Sequence, residues 1–145
     1  MKSIALRFSE SFSPIEGTIK AHEEIINKIG FVWYGKMGNP VGKKVISDIM
    51  HEESPKILLI RSGGNKRYWG YVKEIKKEIP SKEEFPSYYH DIADKFKTWF
   101  KITQFEFEEA PKDIMSRCIV TSSGSVLSNA SKYSMSPYFI IEFNE

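Results

Sequence analysis

The chain reads as a mixed α+β domain of the α/β class, with about six short strands and about three helices in a compact mixed sheet or a half-open β-barrel. Three observations predict this. Aromatic and β-branched runs of four to eight residues recur along the whole length. Two amphipathic segments with four-residue spacing stand among them. Turn residues punctuate the runs too closely for a helical bundle and too irregularly for a repeat.

In order, Ser3 to Phe8 reads as a strand. Thr18 to Ile29 reads as a helix: Thr18 can cap it, Ala21, Ile25 and Ile29 share a face, and Gly30 stops it. Phe31-Val32-Trp33-Tyr34 is a strand that breaks at Gly35, Gly38 and Pro40. A second helix is expected from about Val41 to His51, with Val41, Val45 and Ile49 as its stripe. Lys56 to Arg61 (KILLIR) has the continuous apolar core of a strand buried on both faces. Ser62-Gly63-Gly64-Asn65 is a turn, and Tyr68 to Ile75 returns antiparallel. Phe85 to Phe96 is expected to be a loop entering a helix, with Tyr88, Ile92 and Phe96 on one face. Trp99 to Glu108 is an aromatic strand, Pro111 to Met115 a short helical turn, and Cys118 to Thr121 a brief strand. A serine-rich stretch, Ser122 to Ser136, leads to a last strand, Tyr138 to Phe143.

Bulk properties narrow the function. At 145 residues, 41% hydrophobic and 28% charged, the chain is sized for one domain, 1–145, that closes its own core. The single cysteine, Cys118, cannot form an internal disulfide, so a reducing, cytoplasmic setting is expected. The apolar stretch near the N-terminus is too short for a signal peptide, and no run reaches the ~20 residues of a membrane helix. A net charge of +2 permits a nucleic-acid partner without requiring one.

Catalytic motifs are missing. His22, His51 and His90 sit in no metal-ligand spacing, and no metal or other cofactor is expected. Ser62-Gly63-Gly64-Asn65-Lys66 lacks the phosphate-loop spacing, and the serine-rich stretch has no nucleophile elbow. Glu106 and Glu108 share a strand face that reads most simply as solvated. A binding module is therefore expected rather than an enzyme.

Aromatic residues make up 14% of the chain. Trp69 and Trp99 read as core. Trp33, at a strand mouth beside a glycine-rich loop, can equally be core or a pocket wall. Basic residues accompany these rings: Lys36, Lys43, Lys44, Lys66 and Arg67, then Lys73, Lys76 and Lys77. They can form a solvated face, or they can hold phosphates while a ring stacks on a base.

The order of these features resembles the PUA-like superfamily, and within it the EVE and YTH domains. Phe31-Val32-Trp33-Tyr34-Gly35 looks like their strand-ending tryptophan segment. KILLIRSGGNKRYWGYVKEI is similar to their buried strand, polar turn and glycine-containing return strand, with Gly70 at the strand glycine. FKTWFKITQFEFEEAPKDIM resembles the next aromatic strand and proline-led helix, and VTSSGSVLSNASKYS the polar segment after it. The resemblance spans roughly residues 30 to 128. It implies a reader of RNA or DNA that takes a flipped, modified base into an aromatic cage. A reader of this size has no effector, so a separate effector protein acting on the bound strand is expected, and, with no membrane helix, no membrane partner.

By that resemblance Trp33 matches the first cage tryptophan. Phe96 stands closest to the second, where the family's tryptophan is absent, and Tyr34, Tyr88 and Tyr89 are further candidate walls. Ser62, Asn65, Ser122, Ser123 and Asn129 are candidates for the base edge by loop position, and Lys36, Lys43, Lys44, Lys66 and Arg67 for the phosphates. The competing class is a protein-interaction or small-ligand module on the same fold. An enzyme acting on a nucleotide-like substrate ranks last.

Overall fold

The structure is a computed structural model that describes residues 1–11 and 13–144. Seven strands form one sheet: β1 (Lys2–Phe8), β2 (Val32–Met37), β3 (Lys56–Arg61), β4 (Arg67–Lys76), β5 (Phe96–Phe107), β6 (Ile119–Val120) and β7 (Tyr138–Glu142). Their order is β2-β5-β4-β3-β1-β7-β6; β1 runs parallel to β3, and the other pairs are antiparallel. The sheet curls into the expected half-open barrel. Four α-helices accompany it among the described residues: α1 (Thr18–Ile29), α2 (Lys43–Met50), α3 (Pro111–Arg117) and α4 (Leu127–Tyr133).

The central strands are apolar on both faces because both faces are covered. From β3, Ile57 and Leu59 join the inner core with Ile4, Leu6, Tyr34, Phe100 and Ile102, against which α1 and α2 lay Ile19, Ile25, Ile26, Val45 and Ile46. Leu58 and Ile60 point the other way, to Trp69, Ile114, Met115, Leu127 and Phe139 under α3 and α4. The Lys56–Arg61 to Tyr68–Ile75 hairpin pairs as expected, with Leu58 opposite Trp69.

Three local expectations are corrected. The 85–96 segment is not an α-helix. It consists of single 3-10 turns at Ser87–Tyr89 and Ala93–Lys95, preceded by another at Lys82–Glu84. Pro86 holds Phe85 extended (φ −144°, ψ 162°), and the rings of Phe85, Tyr89 and Phe96 are all drawn inward. As a result Phe96 opens β5 and does not end a helix. The serine-rich stretch contains α4, anchored by the buried Leu127. Nor does Thr18 cap α1: Gly17 takes the N-cap position, and the Glu10 carboxylate accepts the Thr18 N–H at 3.2 Å.

Candidate nucleic-acid interface

Because β2 lies at the end of the strand order, one side of its backbone has no strand partner. Opposite it, across the mouth of the half-barrel, run β1 and β7. A cavity of about 240 Å³ fills this seam. Tyr34, Gly35, Lys36 and Met37 come from β2; Leu6, Phe8 and the Arg7 side come from β1; Thr18 heads α1. Tyr88, Tyr89, Ile92 and Phe96 wrap round from the 3-10 segment, and Pro137 closes the far side.

The rings form a contiguous wall. Tyr89 and Phe96 have centroids 4.4 Å apart, and Tyr88 meets Tyr89 edge-on at 4.9 Å. Gly35 makes the wall possible: a Cβ there would lie 2.6 Å from the Phe96 ring. Behind the wall His22 is fully buried, with its ring 5.0 Å from Tyr34 and 5.3 Å from Tyr89. Its Nδ1 lies 2.8 Å from the Thr18 carbonyl, and Nε2 has no partner. Burial lowers its pKa to about 4, so the ring is neutral at pH 7. The same burial raises the phenols of Tyr34, Tyr88 and Tyr89. The wall is therefore uncharged at neutral pH.

Lys36 spans the seam. Its ammonium donates to the carbonyls of Met37 (3.0 Å) and Asn39 (2.8 Å) and lies 4.3 Å from the Tyr138 ring. Desolvation lowers its pKa. Arg7, whose side also lines the cavity, donates to the carbonyls of Ser131, Ser134 and Ser136 and so ties the end of α4 to β1.

Of the residues named from sequence, the structure brings Tyr34, Lys36, Tyr88, Tyr89 and Phe96 together. Trp33, expected as a cage wall, does not line this cavity. It leaves β2 on the face opposite Tyr34, is 3% exposed, and packs with Phe85, Phe96 and Trp99. Its Nε1 donates to Glu84 at 3.1 Å, and the Lys76 ammonium lies 4.5 Å from its ring. The polar candidates are also dispersed. Ser62 is exposed in the hairpin turn. Asn65 faces a groove beside α3 and α4. Ser122 and Ser123 line a separate hydroxyl-rich depression, and Asn129 is exposed on α4.

The proposed phosphate contacts divide likewise. Lys43 and Lys44 sit on α2, and Lys44 pairs with Asp48, which also lies 4.0 Å from Lys2 at the start of β1. The cavity is at the other end of β1, a strand length away. Lys66 lies by Glu10 and Arg61 in a shallow pocket, and Arg67 lines the groove with Asn65. Sequence reasoning missed Leu6, Phe8, Thr18 and Pro137. Their signal was absent because each comes from a segment distant in sequence. Ile92 carried a signal, through its spacing with Tyr88 and Phe96.

No helix among the described residues is long and apolar enough to cross a membrane. A protein-family model described as Pua-like matches residues 4–140. No curated protein and no solved structure matches the chain.

Proposed function

The chain belongs to the Pua-like family, whose fold is of the PUA-type RNA-binding kind, and from that premise we propose that it is a nucleic-acid reader that takes one flipped, modified base into the seam cavity. The observation that carries this reading is the wall of Tyr34, Tyr88, Tyr89 and Phe96 around a cavity of about 240 Å³. That volume lies just below the ~300–1,000 Å³ typical of ligand pockets, which suits a single planar base. A neutral aromatic wall favours stacking, and an extra methyl buried against it contributes ~0.8 kcal/mol, or about fourfold in affinity. Polar groups for the base edge are few and close by: the Thr18 hydroxyl and Ser9.

Tyr88 is the ring to test, because it is only half-buried and lines the cavity from a single 3-10 turn. Short RNA and DNA strands carrying a methylated base or its parent would be titrated against the native chain and Tyr88→Ala. Loss of one stacking ring costs ~1–3 kcal/mol, roughly tenfold to a hundredfold in affinity for the preferred strand. Undiminished preference in a folded Tyr88→Ala chain would remove the cavity from the reading. Tight binding of a small ligand with no affinity for any strand would favour the small-ligand alternative.

A further inference from the structure

Between the β3–β4 hairpin and the α3–α4 pair runs a second groove of about 440 Å³, lined by Asn65, Arg67, Lys112, Lys132, Ser128 and Ser131 among others. Its lining contains three cations and no carboxylate. Two nearby acids are engaged elsewhere. Asp113 pairs with Arg117, and Glu108 accepts the Trp69 indole N–H and the Ala110 N–H. Among the described residues, Arg67, Lys112 and Lys132 enter no ion pair.

Arg67 carries the argument furthest. Its guanidinium reaches only carbonyls, of Gly64 and Lys66, and its Nε is buried with no partner. Desolvation and the neighbouring Arg7 both lower its pKa, the mark of a cation lacking an anion. Serine hydroxyls and an amide beside three cations make a surface that suits phosphate oxygens, which accept from both kinds of donor.

The groove also adjoins the seam cavity. Arg7 lines the cavity and donates to the carbonyl of Ser131, which lines the groove. We infer that this groove is the phosphate track of the bound strand, holding the phosphodiester next to the nucleotide whose base enters the cavity. The track rests on the proposed reading of the seam cavity as a base pocket. It replaces Lys43 and Lys44, which lie at the opposite end of β1, with Lys112 and Lys132 as backbone contacts.

The test compares the native chain, the exposed pair Lys112→Ala/Lys132→Ala, and Tyr88→Ala. Each is titrated with a methylated single-stranded RNA, its unmethylated parent, and single-stranded DNA of the same sequence, over a series of salt concentrations. The lysine pair should bind both RNAs more weakly by the same factor. Its plot of log affinity against log salt should flatten by about 0.7 for each phosphate that is no longer neutralised. Tyr88→Ala should keep the slope and lose the methyl preference. A DNA strand that shows the same flattening establishes the shared phosphodiester as the ligand; flattening with RNA alone assigns the track to RNA.

Native binding with an unchanged slope and affinity in the folded lysine pair overturns the track and leaves the base cavity standing. A lysine pair that keeps its slope but loses the methyl preference overturns the track and moves base recognition from the cavity to the groove. A native chain that binds no strand at low salt overturns both the track and the nucleic-acid reading.

Discussion

Trp33 and Tyr34 leave β2 on opposite faces, and Tyr34 alone reaches the cavity. Trp33→Ala is therefore a core truncation. It should cost ~3–5 kcal/mol in unfolding free energy, measured by urea denaturation, whereas Tyr88→Ala should cost far less. Gly35→Ala should destabilise by ~1–3 kcal/mol, because its Cβ meets the root of the Phe96 ring and not a flexible tip.

His22 sets a pH dependence. Below its unfolded value of 6.5 the unfolded chain takes up a proton that the folded chain refuses until about pH 4. Stability therefore falls as pH drops through this window, and it is fully present above it. The facing groups, Tyr34, Tyr88 and Tyr89, stay neutral there, since burial raises their phenols. Between pH 7 and pH 5 the native chain should lose about 2 kcal/mol that His22→Gln keeps. Equal losses in both chains would show that His22 already titrates normally. Cys118, fully buried with its thiol pushed up to about 11, should stay unreactive toward thiol reagents until the chain unfolds.

At the scale of elements, two short segments owe their position to a few side chains. The 3-10 segment is fastened by Glu84 to the Trp33 indole and by Phe85 and Tyr89 to Trp99. The helix α4, only seven residues long, cannot sustain itself alone. Arg7 holds its end through three carbonyls, with its guanidinium carbon 5.6 Å from the Phe139 ring. Arg7→Met keeps the stem and removes the donors. Amide exchange over residues 127–136 should then quicken while that of β3 and β4 stays slow; uniform protection would show that Leu127 alone seats the helix.

For the whole molecule, the seam joins parts far apart in the chain, so filling it should tighten the fold. A methylated oligonucleotide at about 100 times its Kd should add ~2.7 kcal/mol of stability by mass action. It should also slow exchange in residues 34–37 and 88–96. Stabilisation without protection of those residues would place the ligand elsewhere.

The hairpin from Lys56 to Ile75, both long helices and the last strand were legible in sequence because each is written in local periodicity, and the resemblance to the family supplied the half-open barrel. KILLIR can be buried on both faces only at the centre of a sheet, and Ala21, Ile25 and Ile29 recur at helical spacing while Glu23, which a strand would put on their face, is charged. The family resemblance added the order of these parts and the idea of an aromatic cage. Tertiary structure alone decided which aromatics form the wall. A strand's alternation assigns Trp33 and Tyr34 to opposite faces but does not say which face is the cavity, since that depends on how the sheet curls. The expected helix does not form, yet Tyr88, Ile92 and Phe96 still meet at the cavity, because burial of their side chains outweighs local propensity. Leu6, Thr18 and Pro137 complete the site from distant segments, and only the closing of the seam brings them together.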